Sequence, residues 1–175
     1  MEPSFVLDPL PVWIAAVWLA VLMLHAAWSK SRDRLLWLQH LAAYRVPDKS
    51  LTVLGVLMPL AEGVSGLLVL TGWRTWGAAA CACLLLIYAG AMAWHLQAGR
   101  QLDCGCGGEP LPLSWALVAR NAGLLLVCAV ASTPTTDRVL HWTDVTVMVA
   151  AVLLGLLVWA MFHQVLRHAR RASAV

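Results

Sequence analysis

Five apolar runs dominate this 175-residue chain, and each is long enough to cross a lipid bilayer as a helix. The hydrocarbon core of a bilayer is spanned by about 20 apolar residues in helical conformation. Hydrophobic residues make up 61% of the chain, and the 12% that are charged fall well below the usual share in soluble domains. The sequence therefore predicts an all-α integral membrane protein, a four- to five-span transmembrane helical bundle built as a single membrane domain over residues 1–175. The predicted spans are residues 12–28, 51–70, 73–96, 114–131 and 142–165.

The charged residues of the first 50 positions lie on either side of the first span. Glu2 and Asp8 precede the span where a signal peptide would carry positive charge, so we expect the span to be retained. Cleavage after Ala26 or Ala27 is the alternative. Residues 29–50 are too charged to cross a bilayer, but their leucines recur near helical spacing. They predict a helix lying in the membrane interface over about residues 31–46, ended by Pro47.

A polar, glycine-rich loop over residues 102–113 interrupts the apolar runs and carries two thiols, Cys104 and Cys106. A bent tripeptide brings such cysteines within disulfide range, and the glycines at 105, 107 and 108 permit the unusual dihedral angles that the ring needs. A disulfide that closes so small a loop removes little chain entropy, which makes a structural role a poor explanation. Strained disulfides are labile. The loop therefore favours redox exchange.

Two other interpretations of Cys104 and Cys106 stay open. In one, the two cysteines are free thiols in a turn; in the other, they form half of a soft-metal site. A zinc site needs about four ligands, and no second cysteine or histidine pair lies nearby in sequence, so no metal ligand set is predicted. No motif for a bound quinone or haem is present, and no cofactor is expected.

The distribution of basic residues predicts which loops share a side of the membrane. With five spans, segment 29–50, the thiol loop and the C-terminus lie on one side, and Arg74 and Arg138 on the other. The positive-inside rule puts the N-terminus outside and the thiol loop in the cytoplasm of a cell (inner or plasma) membrane. The net charge of +3 is therefore a mark of loop orientation and not of nucleic-acid binding. The basic residues on the thiol-loop side are Lys30, Arg32, Arg34, Arg45, Lys49, Arg100, Arg167, Arg170 and Arg171.

Glu62 lies near the middle of the second span, where a carboxylate is costly and marks a candidate functional site. A protonated or paired structural carboxyl is the alternative. The residues that share its helical stripe predict an inward-packing face. They are Gly55, Pro59, Glu62, Ser65 and Gly66.

Four other polar residues are candidates for supporting the thiols. Arg120 lies about 9–10 Å into the fourth span; it either snorkels to the interface, reaches Glu62, or approaches the thiol loop, where a cation would favour the thiolate. Asp103 would oppose that effect. His25 is a candidate proton partner or a hydrogen-bonded structural histidine. Asn121 is expected to join helices.

Three cysteines lie within the spans. Cys81 and Cys83 are two residues apart on a helix, so they point in different directions and cannot pair with each other. Cys81 and Cys128 both lie toward the outer ends of neighbouring spans. A buried relay between them is conceivable, although buried cysteine usually acts as a small hydrophobic residue.

The order of these motifs resembles the MauE group of the MauE/DoxX-like redox-associated integral membrane proteins. The resemblance covers the first four spans, and the Asp-Cys-Gly-Cys loop followed by Arg-Asn is its most specific part. Family members often have an aromatic residue after the second cysteine, where this chain has Gly107. The matching segments are Tyr44–Pro47, Pro59–Glu62, Asp103–Gly108, Leu113–Trp115 and Arg120–Asn121.

The resemblance implies a membrane accessory protein for maturation of the methylamine dehydrogenase light (β) subunit, an exported client with many disulfides and a tryptophylquinone. It also implies a thioredoxin-like partner of the MauD type. By this likeness Cys104 and Cys106 are the exchanging pair, and Glu62, Arg120 and Asn121 support them. Such clients mature outside the cytoplasm, whereas the charge distribution puts the thiols inside. Electron transfer across the membrane, or the opposite orientation, would reconcile the two.

The hypothesis from the sequence is a thiol–disulfide oxidoreductase embedded in the lipid bilayer. Two rivals stay open: a thiol carrier for a soft metal ion such as mercuric or copper(I) ion, and an assembly anchor whose cysteines are dispensable.

Overall fold

The structure, a computed structural model, describes residues 6–100, 102 and 113–173. In these ranges, apart from one isolated bridge between Leu7 and Thr135, the secondary structure is helical. Five of the helices are long and apolar enough to cross a membrane. The predicted fold class, a multi-span helical bundle, is therefore confirmed. The helices are α1 (Pro9–Arg32), α2 (Arg34–Ala43), α3 (Asp48–Leu68), α4 (Arg74–Gln97), α5 (Trp115–Ser132) and α6 (Trp142–Ser173).

Helix α1 extends beyond the predicted run 12–28 at both ends. It begins at Pro9 because the Asp8 carboxylate accepts a hydrogen bond from the backbone N–H of Leu10 at 2.9 Å. It ends at Arg32, where Asp33 turns the chain and caps the next helix by accepting from the Leu36 N–H at 3.0 Å. Residues 29–32, which the sequence assigned to the segment between the first two spans, therefore belong to α1.

Helix α2 covers the segment predicted to lie in the interface, but it ends at Ala43 and not at Pro47. Two backbone hydrogen bonds end it, from Arg45 to Ala42 and from Val46 to Leu41, with Arg45 in the left-handed conformation at φ 61°. This is a Schellman arrangement, which satisfies the last carbonyl groups of a helix. Pro47 instead precedes the first turn of α3, where its fixed φ suits a helix start.

The predicted inward face of α3 is confirmed. The buried residues of α3 are the stripe that the spacing indicated, namely Gly55, Pro59, Glu62, Ser65 and Gly66. Helix α1 packs against this stripe, and a Cβ atom at Gly66 would lie 3.1 Å from the Cβ of Met23. Small residues here allow the two backbones to approach closely.

The two ends of the bundle are fixed by contacts between loops. At one end, called here the N-terminal end, the Leu7 N–H donates to the Pro134 carbonyl at 3.1 Å and Arg74 donates to the Thr133 carbonyl at 2.8 Å. At the other end, called here the basic end, the Leu113 N–H donates to the Leu102 carbonyl at 2.8 Å. The α1–α2 turn also lies at the basic end.

The densest apolar packing lies in the half of the bundle nearer the N-terminal end. It joins α1, α4 and α5 around buried Leu19, Cys81 and Cys128. Helix α6 packs on α1 through Trp18, whose ring meets that of Trp159 edge-on at 6.2 Å. The half nearer the basic end holds the polar residues instead.

Gly77 allows a test of this packing. A Cβ atom there would come within 3.0 Å of the backbone of Leu68 and Val69, where α3 ends. Gly77→Ala should lower the free energy of unfolding by about 2 kcal/mol, because backbone cannot move aside as a side chain can. The measurement is unfolding of the purified protein by SDS titration in mixed micelles.

Gly90, on the same helix, is the matched control because a Cβ atom there would meet nothing within 4 Å. Gly90→Ala should leave the unfolding midpoint unchanged or raise it slightly, since alanine is the better helix former. Equal destabilisation by both substitutions would contradict the described approach of α3 to α4.

Candidate functional site

A buried ion pair between Lys30 and Glu62 is the centre of the candidate site. Lys30 Nζ donates to Glu62 Oε1, and the two residues are 5% and 1% exposed. The same oxygen accepts a hydrogen bond from the Tyr88 hydroxyl at 2.6 Å. The carboxylate therefore connects α1, α3 and α4.

Two aromatic rings enclose the ammonium group of Lys30. Its Nζ lies 4.9 Å from the ring centroid of Trp37 and 4.9 Å from that of Tyr88. Ring faces attract a cation, and more strongly when water is excluded. Trp37 is 7% exposed, and it is the buried aromatic residue that α2 contributes to this group.

Lys30 is the residue that sequence reasoning missed, because it was assigned to a loop as a marker of membrane side. The signal was present: Val12, Ala16, Leu19 and Met23 form a buried stripe on α1, and one further heptad from Met23 reaches Lys30. The cation that meets Glu62 is therefore Lys30 and not Arg120, so the pairing considered for Arg120 was wrong. The paired-carboxyl interpretation of Glu62 is the one that the structure supports.

Arg120 forms a second polar group, between α5 and α6. Its guanidinium lies over the ring of Trp159 at 4.8 Å, and its nitrogens lie 3.2 Å from His163 Nε2 and 3.3 Å from Asn121 Oδ1. His163 Nδ1 in turn lies 2.8 Å from the Trp159 carbonyl oxygen. Asn121 is 1% exposed and joins this group to the interior of the bundle.

One cavity of about 830 Å³ connects the two polar groups. Lys30, Glu62, Tyr88, Arg120 and Asn121 all line it. The cavity exists because α1 stops at Arg32 while α3 and α4 continue, and α2 folds against the space that remains. His25, which is exposed, also lines the cavity. Four of the predicted supporting residues therefore line one cavity, namely Glu62, Arg120, Asn121 and His25.

A third group of side chains lies where α4 ends, next to the thiol loop. The rings of Tyr44 and His95 meet edge-on at 4.8 Å, and an Arg100 nitrogen lies 3.2 Å from His95 Nδ1. His95 is 5% exposed and lines the cavity, as does Tyr44. The cavity thus reaches the helix end from which the thiol segment departs.

The predicted thiol pair, Cys104 and Cys106, and the neighbouring Asp103 lie outside the described residues. The residues on either side of this segment are described: the Leu113 N–H donates a hydrogen bond to the Leu102 carbonyl. Cys81, Cys83 and Cys128 are unpaired, and Cys81 and Cys128 belong to the apolar core. In the described ranges, no three histidine, cysteine, aspartate or glutamate side chains group as metal ligands.

The comparisons with known proteins agree with the resemblance found in the motifs. The family model described as "Methylamine utilisation protein MauE" matches residues 9–134. The chain belongs to the MauE family. It is 37% identical over 123 residues to a Paracoccus denitrificans protein named "Methylamine utilization protein MauE". That match covers 67% of this chain and 66% of the relative, so the chain spans just under two thirds of the relative's length. No solved structure matches the chain.

Family membership and the five apolar helices make this chain a multi-pass membrane protein of a family associated with methylamine utilisation. The matched range 9–134 contains α1 to α5 and therefore both Lys30 and Glu62. Helix α6, with Trp159 and His163, lies beyond it.

The ion pair generates a stability prediction. Lys30→Met should lower the free energy of unfolding by about 3 kcal/mol, because it leaves the Glu62 carboxylate buried without its cation. The double variant Lys30→Met/Glu62→Leu should be more stable than the sum of the single changes implies, since it removes both charges. SDS-titration unfolding of the single and double variants measures this coupling.

Lys49→Met is the matched control, because Lys49 is exposed on the first turn of α3. Its effect should stay within about 0.5 kcal/mol. Additive effects of Lys30→Met and Glu62→Leu would contradict a direct interaction between the two side chains.

Proposed function

We propose that the protein is a membrane thiol–disulfide oxidoreductase in which Cys104 and Cys106 exchange with a thioredoxin-like, MauD-type partner. The exchange would assist maturation of an exported client such as the methylamine dehydrogenase light subunit, through disulfide formation that accompanies tryptophylquinone biogenesis. The observation that carries the proposal is a Cys-Gly-Cys sequence in a glycine-rich loop of a MauE-family chain.

The geometry at the flanks of the thiol loop supports this proposal. The Leu113–Leu102 hydrogen bond closes the ten-residue interval that contains both thiols. The joined residues, Leu102 and Leu113, lie at the basic end of the bundle. Arg100 and His95 lie in contact immediately before the interval. Positive charge beside a thiol favours the thiolate, which is the attacking form.

The exchange reaction balances without any further reactant. A thiolate of the reduced partner attacks one sulfur of the Cys104–Cys106 disulfide, and the other cysteine leaves as a thiolate. The partner's second thiolate then attacks its own sulfur in the mixed disulfide. The products are an oxidised partner and the reduced cysteine pair. In the reverse direction, a disulfide of the partner oxidises the pair.

The Lys30–Glu62–Tyr88 group fits a supporting role in this proposal. It fixes α1, α3 and α4 next to the cavity, and the cavity reaches His95 near the end of α4, the helix that precedes the thiol loop. Glu62, Arg120 and Asn121 are therefore proposed as positioning residues, and His25 and Asp103 as neighbours that tune the surroundings of the thiols. The proposed location is the inner or plasma membrane.

The first test replaces each thiol separately. Cys104→Ser and Cys106→Ser should each abolish oxidation of reduced thioredoxin by the purified, preoxidised protein. With oxidised thioredoxin, the variant that keeps the attacking thiolate should accumulate a mixed disulfide, because the second loop thiol that would release reduced thioredoxin is missing. Non-reducing gel electrophoresis with mass spectrometry identifies that adduct.

The control for this test is Cys83→Ser, which removes an exposed thiol from α4. It should retain full activity. Full activity in both loop variants would contradict the redox proposal. Tight binding of mercuric or copper(I) ion that needs both loop cysteines, without exchange, would favour the metal carrier, whereas unimpaired client maturation in both variants would favour the assembly anchor.

A second test concerns the side of the membrane. From the distribution of basic residues we propose that Cys104 and Cys106 face the cytoplasm. A membrane-impermeant maleimide should therefore leave reduced loop thiols unlabelled in intact cells and label them after permeabilisation, in a variant that lacks Cys81, Cys83 and Cys128. Labelling in intact cells would reverse the orientation and put the exchange on the outer side.

A further inference from the structure

The cavity at the basic end contains hydrogen-bonding atoms that the fold leaves without partners. Trp37 Nε1 and Asn121 Nδ2 are buried donors with no acceptor among the described residues, and Glu62 Oε2 is a buried acceptor with no donor there. All three side chains line the cavity, and all are more than nine-tenths buried. An unsatisfied buried polar group costs about 1–3 kcal/mol. The two donors, both facing one cavity, indicate a ligand that offers them acceptor atoms.

The remaining lining specifies the character of that ligand. Most lining side chains are aliphatic or aromatic, for example Leu84, Met92 and Leu124. A largely apolar cavity with a few directed polar groups is the usual form of a small-molecule site, and about 830 Å³ lies in the usual size range. The donors Trp37 and Asn121 require acceptor oxygens on the ligand. A membrane-soluble molecule with carbonyl oxygens on an apolar body meets both conditions.

The cavity is also open toward the surface that lipid would cover. Leu57 on α3 and Ile87 on α4 line it although they are 55% and 53% exposed. Both helices are long and apolar enough to span a bilayer. An apolar ligand can therefore enter from the acyl-chain region between α3 and α4 without crossing water.

We propose that this cavity binds a lipophilic quinone, with its carbonyl oxygens accepting hydrogen bonds from Trp37 and Asn121. The headgroup would lie between the Lys30–Glu62 pair and Arg120, and its isoprenoid tail would leave between α3 and α4. A diffusible quinone of this kind is a co-substrate and not a resident cofactor.

The role of the quinone rests on the proposed thiol exchange. Oxidation of the Cys104 and Cys106 thiols to a disulfide releases two electrons and two protons, and reduction of a quinone to a quinol takes up the same number. The sulfur–hydrogen bonds break, one sulfur–sulfur bond forms, and both quinone oxygens become hydroxyl groups. Quinone is therefore the oxidant that regenerates the cysteine pair, and the cavity lies at the end of the bundle where the thiol loop begins.

The test uses the full-length protein in lipid nanodiscs and a photoreactive azidoquinone, with decylubiquinone as competitor and empty nanodiscs as background. Mass spectrometry should locate competed labelling on the cavity-lining parts of α2, α3 and α5. Trp37→Phe and Asn121→Leu should each weaken decylubiquinone competition about five- to tenfold, because each removes one hydrogen bond. Ala61→Phe should abolish competed labelling, since it fills the cavity without removing a polar group.

Three controls keep the outcome interpretable. Trp73→Phe should change nothing, because Trp73 is 65% exposed and does not line the cavity. Each variant is first compared with the unaltered protein by SDS-titration unfolding, and Ala61→Ser serves as a conservative change at the filled position. Labelling that is unaffected by Ala61→Phe, or spread over the lipid-facing surfaces, would overturn the proposed site.

A further variant separates this proposal from the thiol chemistry. The double variant Cys104→Ser/Cys106→Ser should bind azidoquinone as the unaltered protein does, but should no longer form quinol from decylubiquinone when thiol reductant is supplied by thioredoxin. Loss of competed labelling in Ala61→Phe, with thioredoxin exchange intact, confirms the site. Quinone binding without quinol formation by the unaltered protein would overturn the oxidant role.

Discussion

The ion pair between Lys30 and Glu62 is the interaction on which the basic half of this bundle depends. Two charges taken out of water are costly unless they meet each other and further polar groups. Here the carboxylate receives both Lys30 and the Tyr88 hydroxyl, and two rings enclose the ammonium group. The pair fixes α1 against α3 and α4 just before α1 ends, and α2 then covers the space between that point and the basic end. The cavity follows from that early end of α1.

The fold and part of the candidate site could be predicted from the sequence because they depend on local pattern. Apolar run length indicated the long helices, and the spacing of Pro59, Glu62 and Ser65 indicated the buried face of α3. Glu62, Arg120 and Asn121 stood out because polar groups are rare in apolar spans. The structure brings these three residues to one cavity. The thiol chemistry of the loop stays a prediction, supported by membership of the MauE family.

The rest could not be predicted, because it depends on where helices end and on which neighbours meet. Lys30 resembled an ordinary loop cation until α1 proved to continue to Arg32. Trp37 and Tyr88 carried no pattern that distinguished them from interfacial or core aromatics. Pro47 suggested the end of α2, yet the chain ends that helix earlier through Arg45 in a left-handed conformation. A cavity between helices leaves no trace in the periodicity of any single helix.

The most direct measurement of the central claim is the redox state of the Cys104 and Cys106 thiols. Membranes would be quenched with acid, the thiols alkylated, and the peptide that contains both cysteines analysed by mass spectrometry. We expect an intramolecular disulfide that reduced thioredoxin converts to two alkylatable thiols and that re-forms when oxidised thioredoxin is supplied. Thiols that stay alkylatable under every oxidising condition would contradict it, because a pair that never forms a disulfide cannot exchange one.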